Sequence, residues 1–163
     1  MIKIRTNKIR IYEEVYLKQI IDELVKKENV RSNLSEARKR IKDAVCGQEC
    51  TKQLLEYQEL IKNILKDEDP KTRKNAALLL GDLSVDAVEE VFRAYQQEQT
   101  RFVKSSYLVA LAQMNVIEKL PELRDILDEL LEVEITEENR KHIEEEIRQL
   151  RKILIAYEGI TKH

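Results

Sequence analysis

The residues of this sequence that could do acid–base or metal chemistry are few. His142 is followed by three consecutive glutamates, Glu144, Glu145 and Glu146, which could bind a cation or assist a proton transfer. A helix would place Glu138 and Glu146 on the same side as His142. We therefore expect a surface histidine paired with glutamate rather than a catalytic base.

The glutamate run is better interpreted as the solvent-facing side of a helix. Opposite charges four residues apart are neighbours on a helix and stabilise it. Three such pairs occur here, namely Arg140 with Glu144, Lys141 with Glu145, and Glu144 with Arg148. We expect these glutamates to be solvated and to bind no metal.

Two cysteines, Cys46 and Cys50, lie in the stretch CGQEC. They have no second cysteine pair and no nearby histidine to complete a zinc site, and no adjacent basic side chain to activate a thiol. We interpret them as small residues at a close helix contact. The sequence also lacks a phosphate-binding glycine loop and a nucleophile elbow. It therefore favours a protein that is not an enzyme and has no cofactor or small-molecule substrate.

The composition predicts an all-α protein with long solvated helix faces. Charged residues make up 37% of the 163 residues, yet 29 Lys and Arg nearly balance 31 Asp and Glu. This balance gives no overall field that attracts nucleic acid or a membrane surface. No apolar run is long enough to cross a bilayer. We expect a single domain over residues 1–163 in the cytoplasm.

The candidate residues must be positioned by helices, and the sequence predicts where some of these helices begin and end. Three helices are predicted in the first part of the chain, over residues 11–27, 34–45 and 50–66. Asn33 is expected to cap the second of them, with Glu36 completing a capping box, and Gly47 to end it.

The stretch DPKTRKNAALLLGDL, residues 69–83, has the chemistry of a helix start. Asp69 can cap the helix, and Pro70 suits its first position because no N–H is needed there. A partner helix is expected to follow, capped by Ser84 or Asp86. Its inward residues are predicted to be Val88, Val91, Phe92 and Tyr95.

This helical hairpin is repeated. When the sequence is shifted by about 31 residues, Thr72 meets Val103 and Leu80 meets Leu111, and the partner helix follows at nearly the same shift. Fainter copies lie on either side at looser offsets. A hairpin of this size cannot bury its apolar face alone, so neighbouring copies must stack.

The first helix of the hairpin carries a resemblance to a known family. The residues concerned are Asp69, Pro70, Arg73, Ala76, Ala77, Leu80 and Gly81. They resemble the first helix of a HEAT repeat of the short bacterial kind, also seen in phycobilisome-lyase-like proteins. The resemblance implies a right-handed α–α superhelix, an armadillo-type solenoid, of three to four hairpins over residues 33–157. It also implies a concave face that binds another protein.

Four basic residues fall at equivalent positions of successive repeats: Arg38, Arg73, Lys104 and Arg140. Stacked helices lie about 8–10 Å apart, so these cations would form a column. The column could bind phosphates or an acidic peptide. Alternatively, each cation pairs with an acidic residue of its own or the next repeat, and we favour that interpretation.

The last predicted helix is apolar on all sides at ILIAY, residues 153–157. We expect this segment to dock on something through Ile153, Leu154, Ile155 and Tyr157. A second copy, a partner protein or a further domain could cover it, or the helix could pack on its own hairpin.

The sequence therefore favours a non-catalytic scaffold or accessory module that binds a protein or a second copy of itself. The alternative is an accessory module for structured RNA, within a larger RNA-modifying enzyme, that uses the basic column.

Overall fold

The computed structural model describes the backbone of residues 2–161 and the side chains of residues 14–158. Over these residues the regular structure is entirely helical, which confirms the predicted all-α class and helical-repeat type. The helices are α1 (Ile2–Val25), α2 (Val30–Ile41), α3 (Gly47–Leu55), α4 (Gln58–Ile64), α5 (Pro70–Asp82), α6 (Val88–Gln97), α7 (Arg101–Leu111), α8 (Leu120–Glu132) and α9 (Arg140–Thr161). A 3-10 turn at Ile117–Lys119 precedes α8.

The helices form two compact units. Unit one covers residues 1–85 and contains α1–α5, and unit two covers residues 86–163 and contains α6–α9. A single domain over the whole chain stays a prediction.

In unit one, α2 packs on both α1 and α5, and α4 also packs on α5. Every residue of α5 from Ala76 to Gly81 is buried. The start of α5 is as predicted: Asp69 accepts a hydrogen bond from the Thr72 amide at 3.0 Å, and Pro70 occupies the first helical position. The Thr72 hydroxyl also donates to Asp69 and holds the pKa of this carboxyl below its ordinary value.

The end of α5 differs from the prediction. Ser84 has a φ of 55°, and its amide donates to Gly81 O while the Val85 amide donates to Leu80 O. These are the two bonds of a Schellman motif, so Ser84 ends α5 instead of capping α6. The N-cap of α6 is Ala87, and the prediction of Ser84 or Asp86 is therefore wrong.

The start of α2 also differs from the prediction. Asn29, with a φ of 46°, is its N-cap, so the proposed capping box of Asn33 and Glu36 is wrong. Asn33 lies inside α2, where its buried side-chain amide donates to Glu28 O at 3.0 Å. Because the apolar pattern begins at Leu34, the sequence did not indicate that α2 starts one turn earlier, at Val30.

The end of α2 and the following helix needed correction as well. The predicted helix 34–45 ends at Ile41, and Gly47 begins α3 instead of ending α2. A Cβ at Gly47 would lie 2.5 Å from Ile41 O, so this close approach requires glycine. The single helix predicted over residues 50–66 is in fact α3 and α4, which are separate helices.

In unit two, α7 packs on α6 and α9, and α9 also packs on α8. The large aromatic side chains of Tyr95 and Tyr107 are almost fully buried. Two carboxylates, Glu98 and Glu146, are buried as well. The core of unit two therefore contains ionisable groups that need partners inside the protein.

Candidate interaction surfaces

The first two cations of the predicted column lie in unit one, and both have local partners. Arg38 on α2 donates from Nε to Asp82 on α5 at 2.6 Å, and Lys42 Nζ lies 3.8 Å from the same carboxylate. Arg73 donates from Nη1 to the carbonyl oxygens of Asp67 and Glu68, at 2.8 and 3.0 Å. Arg38 thus stabilises the α2–α5 contact, and Arg73 stabilises the turn before α5.

The other two cations of the column lie in unit two. Lys104 Nζ is 4.7 Å from the centroid of the Tyr95 ring, a cation–π distance, and the residue is half-buried. Arg140 is exposed at the start of α9. The local partners of three cations favour internal pairing, and a phosphate-binding column stays a prediction.

The most unusual polar group is Glu146 on α9, which is fully buried. One carboxylate oxygen accepts from the Tyr95 hydroxyl at 3.1 Å, and the other accepts from Arg101 Nη1 at 3.1 Å. Burial raises the pKa of Glu146, and the positive charge of Arg101 partly opposes this effect. Burial and the neighbouring carboxylate also raise the pKa of Tyr95. These contacts join α6, α7 and α9 through one carboxylate.

The prediction that the whole glutamate run is solvated is therefore wrong at Glu146. The helical spacing contained a signal for its burial. Glu146 lies three residues after Ile143 and four before Leu150, both fully buried, so it falls within the apolar stripe of α9. The opposite charges at four-residue spacing around Glu146 led to the interpretation that it faces solvent.

Glu144 is exposed and Glu145 is half-buried, which is closer to the predicted solvated helix face, although Glu145 has other partners than predicted. Glu145 pairs with Arg148 and accepts from the Gln149 amide at 3.0 Å, a bond that lowers the pKa of Glu145. Within the described side chains, His142 makes no ion pair with a glutamate. Its ring instead lies 6.5 Å from the ring of Phe102.

The predicted docking segment at the end of α9 is partly used within unit two. Ile153 is buried, and the Tyr157 hydroxyl donates to Met114 O at 3.2 Å and accepts from the Val116 amide at 3.1 Å. Leu154 is half-buried, whereas Ile155 is 67% exposed. Ile155 is therefore the residue of this segment that is most available to another molecule.

An open groove of about 680 Å³ lies beside α8 and α9 and includes Ile155. Its apolar floor consists of Leu131, Ile147 and Ile155. Its charged rim consists of Glu144, Arg148, Arg151 and Lys152. An apolar floor with a mostly basic rim is suited to bind an amphipathic and acidic surface.

Other kinds of site find little support in the described part of the chain. Cys46 and Cys50 are buried and form no disulfide. Their role as small residues at a helix contact stays a prediction. Among the described side chains, no group of three or more His, Cys, Asp or Glu is arranged to hold a metal ion. None of the helices searched, all within residues 2–161, is long and apolar enough to cross a membrane.

Comparison with known protein families agrees with this helical architecture. The family model for HEAT repeats matches residues 57–147, which is more than half of the chain. The chain belongs to the HEAT-repeat family. No curated protein and no solved structure matches it in the corresponding comparisons.

The HEAT match begins just before α4 and ends within α9, so it includes α5, α6, α7 and α8 completely. It therefore contains both copies of the central hairpin that the sequence predicted. The match also contains Leu131 and Ile147 of the groove, whereas Ile155 lies beyond its end.

Proposed function

We propose that this HEAT-repeat chain is a non-catalytic scaffold that binds another protein, and that it does so in the cytoplasm, as the sequence predicts. The supporting observation is a set of large apolar side chains exposed around α8 and α9. They are Leu131, Val133, Ile135 and Ile155. Two of them, Leu131 and Ile155, line the same groove, and contiguous apolar side chains that remain exposed mark interaction sites. HEAT repeats generally mediate protein–protein interactions.

The proposal can be tested by cross-linking the whole chain in a native lysate and reconstituting the complex with the purified partner. Ile155→Asp is expected to weaken binding of that partner at least about tenfold, because a charge would replace an apolar contact. Gln96→Asp, on an exposed position of α6, is the matched control. Recovery of RNA without any protein partner would contradict the scaffold proposal.

Tyr157 is unsuitable for this test although it belongs to the predicted docking segment. Its hydroxyl bonds to Met114 and Val116, so Tyr157→Asp would damage unit two itself. Ile155 is mostly exposed and can be changed without that effect.

The alternative function, an accessory module for structured RNA, depends on the four cations of the column. The local partners of Arg38, Arg73 and Lys104 favour the scaffold over this alternative. A labelled structured RNA can be titrated with wild type and with the double variant Arg73→Ala, Lys104→Ala. Four phosphate contacts would give a slope of log affinity against log salt of about −3.6. A slope near that value, with binding lost in the double variant, would favour the RNA module.

A further inference from the structure

The groove beside α8 and α9 indicates what kind of partner the scaffold binds. We infer that it binds an acidic amphipathic helix of another protein, with apolar residues on the floor and carboxylates against the basic rim. This inference rests on the proposed scaffold function and specifies its partner.

The floor of the groove needs an apolar occupant. Leu131 is 51% exposed and Ile155 is 67% exposed, although both are large aliphatic side chains. Ile147 also lines the groove and is half-buried. Covering such side chains contributes roughly 25 cal/mol for each Å² of apolar surface removed from water.

The shape of the groove favours a helix as the occupant. The residues that α9 contributes run from Glu144 to Ile155 and recur at spacings of three and four. They therefore follow one side of the helix for about three turns, or roughly 16 Å. A partner helix of similar length can place apolar side chains at positions i, i+4 and i+7 along this floor.

The charge of the groove favours an acidic occupant. Three rim residues, Arg148, Arg151 and Lys152, are cations, and Glu144 is an anion. Glu145 beside the groove pairs with Arg148, so Arg151 and Lys152 supply most of the positive charge that an occupant meets. The chain as a whole has a formal net charge of −2, so this positive charge is a local property of α9. Acidic residues on the partner would compensate the cations as the groove loses water, whereas basic residues would be repelled.

A second copy of the chain is a poorer occupant. The most acidic helix that a second copy could place in the groove is α8, whose exposed residues include Asp125, Asp128 and Glu132. Its apolar side, which includes Leu123 and Leu130, is already buried in unit two, where α8 packs on α9. In an intact second copy, Leu131 is the one large apolar side chain that α8 exposes, so α8 lacks the row of apolar residues that would cover the floor.

The test uses the whole chain and a labelled helical peptide of about 14 residues, with leucines at i, i+4 and i+7 and glutamates on the flanks. A second peptide has lysine in place of every glutamate. Fluorescence anisotropy is expected to show binding of the acidic peptide that weakens with salt, because the rim charges are exposed. The lysine peptide is expected to bind at least about tenfold more weakly.

Variants of the chain localise the binding. The double variant Arg151→Glu, Lys152→Glu and the single variant Ile155→Asp are each expected to weaken binding of the acidic peptide at least about tenfold. Arg93→Glu, at an exposed arginine of α6 that does not line the groove, is expected to leave binding unchanged. Circular dichroism checks that each variant keeps its helix content.

Several outcomes would overturn the inference. Equal affinity for the glutamate and lysine peptides would show that the groove binds apolar side chains without recognising charge. Sedimentation with vesicles of mixed neutral and anionic lipid, without peptide binding, would assign the groove to a membrane. A dimer in wild type that Ile155→Asp dissociates would assign it to a second copy. If the purified native partner binds the Arg151→Glu, Lys152→Glu variant as tightly as wild type, the groove is not its site, yet the scaffold function stands.

Discussion

Unit one and unit two each contain an arginine–carboxylate pair between packed helices, but the two pairs differ in environment. Arg38 and Asp82 join α2 to α5, with side-chain exposures of 25% and 9%, and Lys42 also approaches the carboxylate. Arg101 and Glu146 join α7 to α9, and Glu146 is only 1% exposed. In unit two the carboxylate is inside the core, whereas in unit one it is at the edge of the contact.

This difference suggests that two ion pairs at the same kind of helix contact contribute differently to the free energy of unfolding. Asp82 is 9% exposed and has Lys42 nearby, so loss of Arg38 leaves this carboxylate partly compensated. A fully buried carboxylate such as Glu146 cannot regain water when a partner is lost, so it depends on all of its partners. We expect unit two to depend on its pair more than unit one does.

Removal of the buried carboxylate should have the largest effect. Glu146→Ala would leave the Tyr95 hydroxyl without its acceptor and Arg101 without its counter-charge. We expect the free energy of unfolding to fall by about 2 kcal/mol, because the buried Tyr95 hydroxyl loses its acceptor whereas Arg101, which is 38% exposed, can regain water. Urea denaturation measures this effect, with Glu144→Ala at an exposed position of α9 as the control. Equal effects of the two substitutions would show that the burial of Glu146 does not determine its contribution to stability.

Removal of the arginine in unit one should have a smaller effect. Arg38→Ala is expected to lower the free energy of unfolding by about 1 kcal/mol, because Asp82 keeps Lys42 nearby. Arg148→Ala, at a pair that is 73% exposed on its arginine side, should change it by less than about 0.5 kcal/mol. The same denaturation measurements give all three values. An Arg38→Ala effect as large as that of Glu146→Ala would show that burial does not determine the order.

The pH dependence gives a finer comparison between neighbouring glutamates of α9. Because burial raises the pKa of Glu146, its contribution is fully present below pH 4.5 and falls as the pH rises through that raised pKa. Hydrogen bonding by Gln149 lowers the pKa of Glu145, so its contribution is present above pH 4.5 and is lost in more acidic solution.

Glutamine substitutions measure this difference. As the pH increases from 4.5, the stability of Glu146→Gln relative to wild type should rise. As the pH falls below 4.5, the stability of Glu145→Gln relative to wild type should rise. Changes in the same direction for both variants would show that burial does not govern the titration of Glu146.

The sequence predicted best those features that depend on neighbouring residues. The start of α5 at Asp69 and Pro70 was found because a cap and a proline act within one turn. The central hairpin was found because its copy appears in the same chain, and the HEAT family was named from it.

Features that depend on distant contacts were missed or misplaced. Glu146 was assigned to solvent because its partners Tyr95 and Arg101 lie far away in the sequence. Gly47 is an exception, because it approaches Ile41 only six residues away; it was assigned to a helix end since glycine commonly follows a helix. The groove joins Leu131 to residues of α9, and no pattern within either helix shows that they meet.

The packing of α9 has a consequence for the order in which the chain can fold during synthesis. In unit two both α7 and α8 pack on α9, and Tyr157 bonds to Met114 from 43 positions further along the chain. Domains generally fold as units while the ribosome is still adding residues. Unit one can complete its contacts once residue 85 has emerged, whereas unit two has to wait for its final helix. Until then, the apolar sides of α7 and α8 that α9 will cover remain available to chaperones.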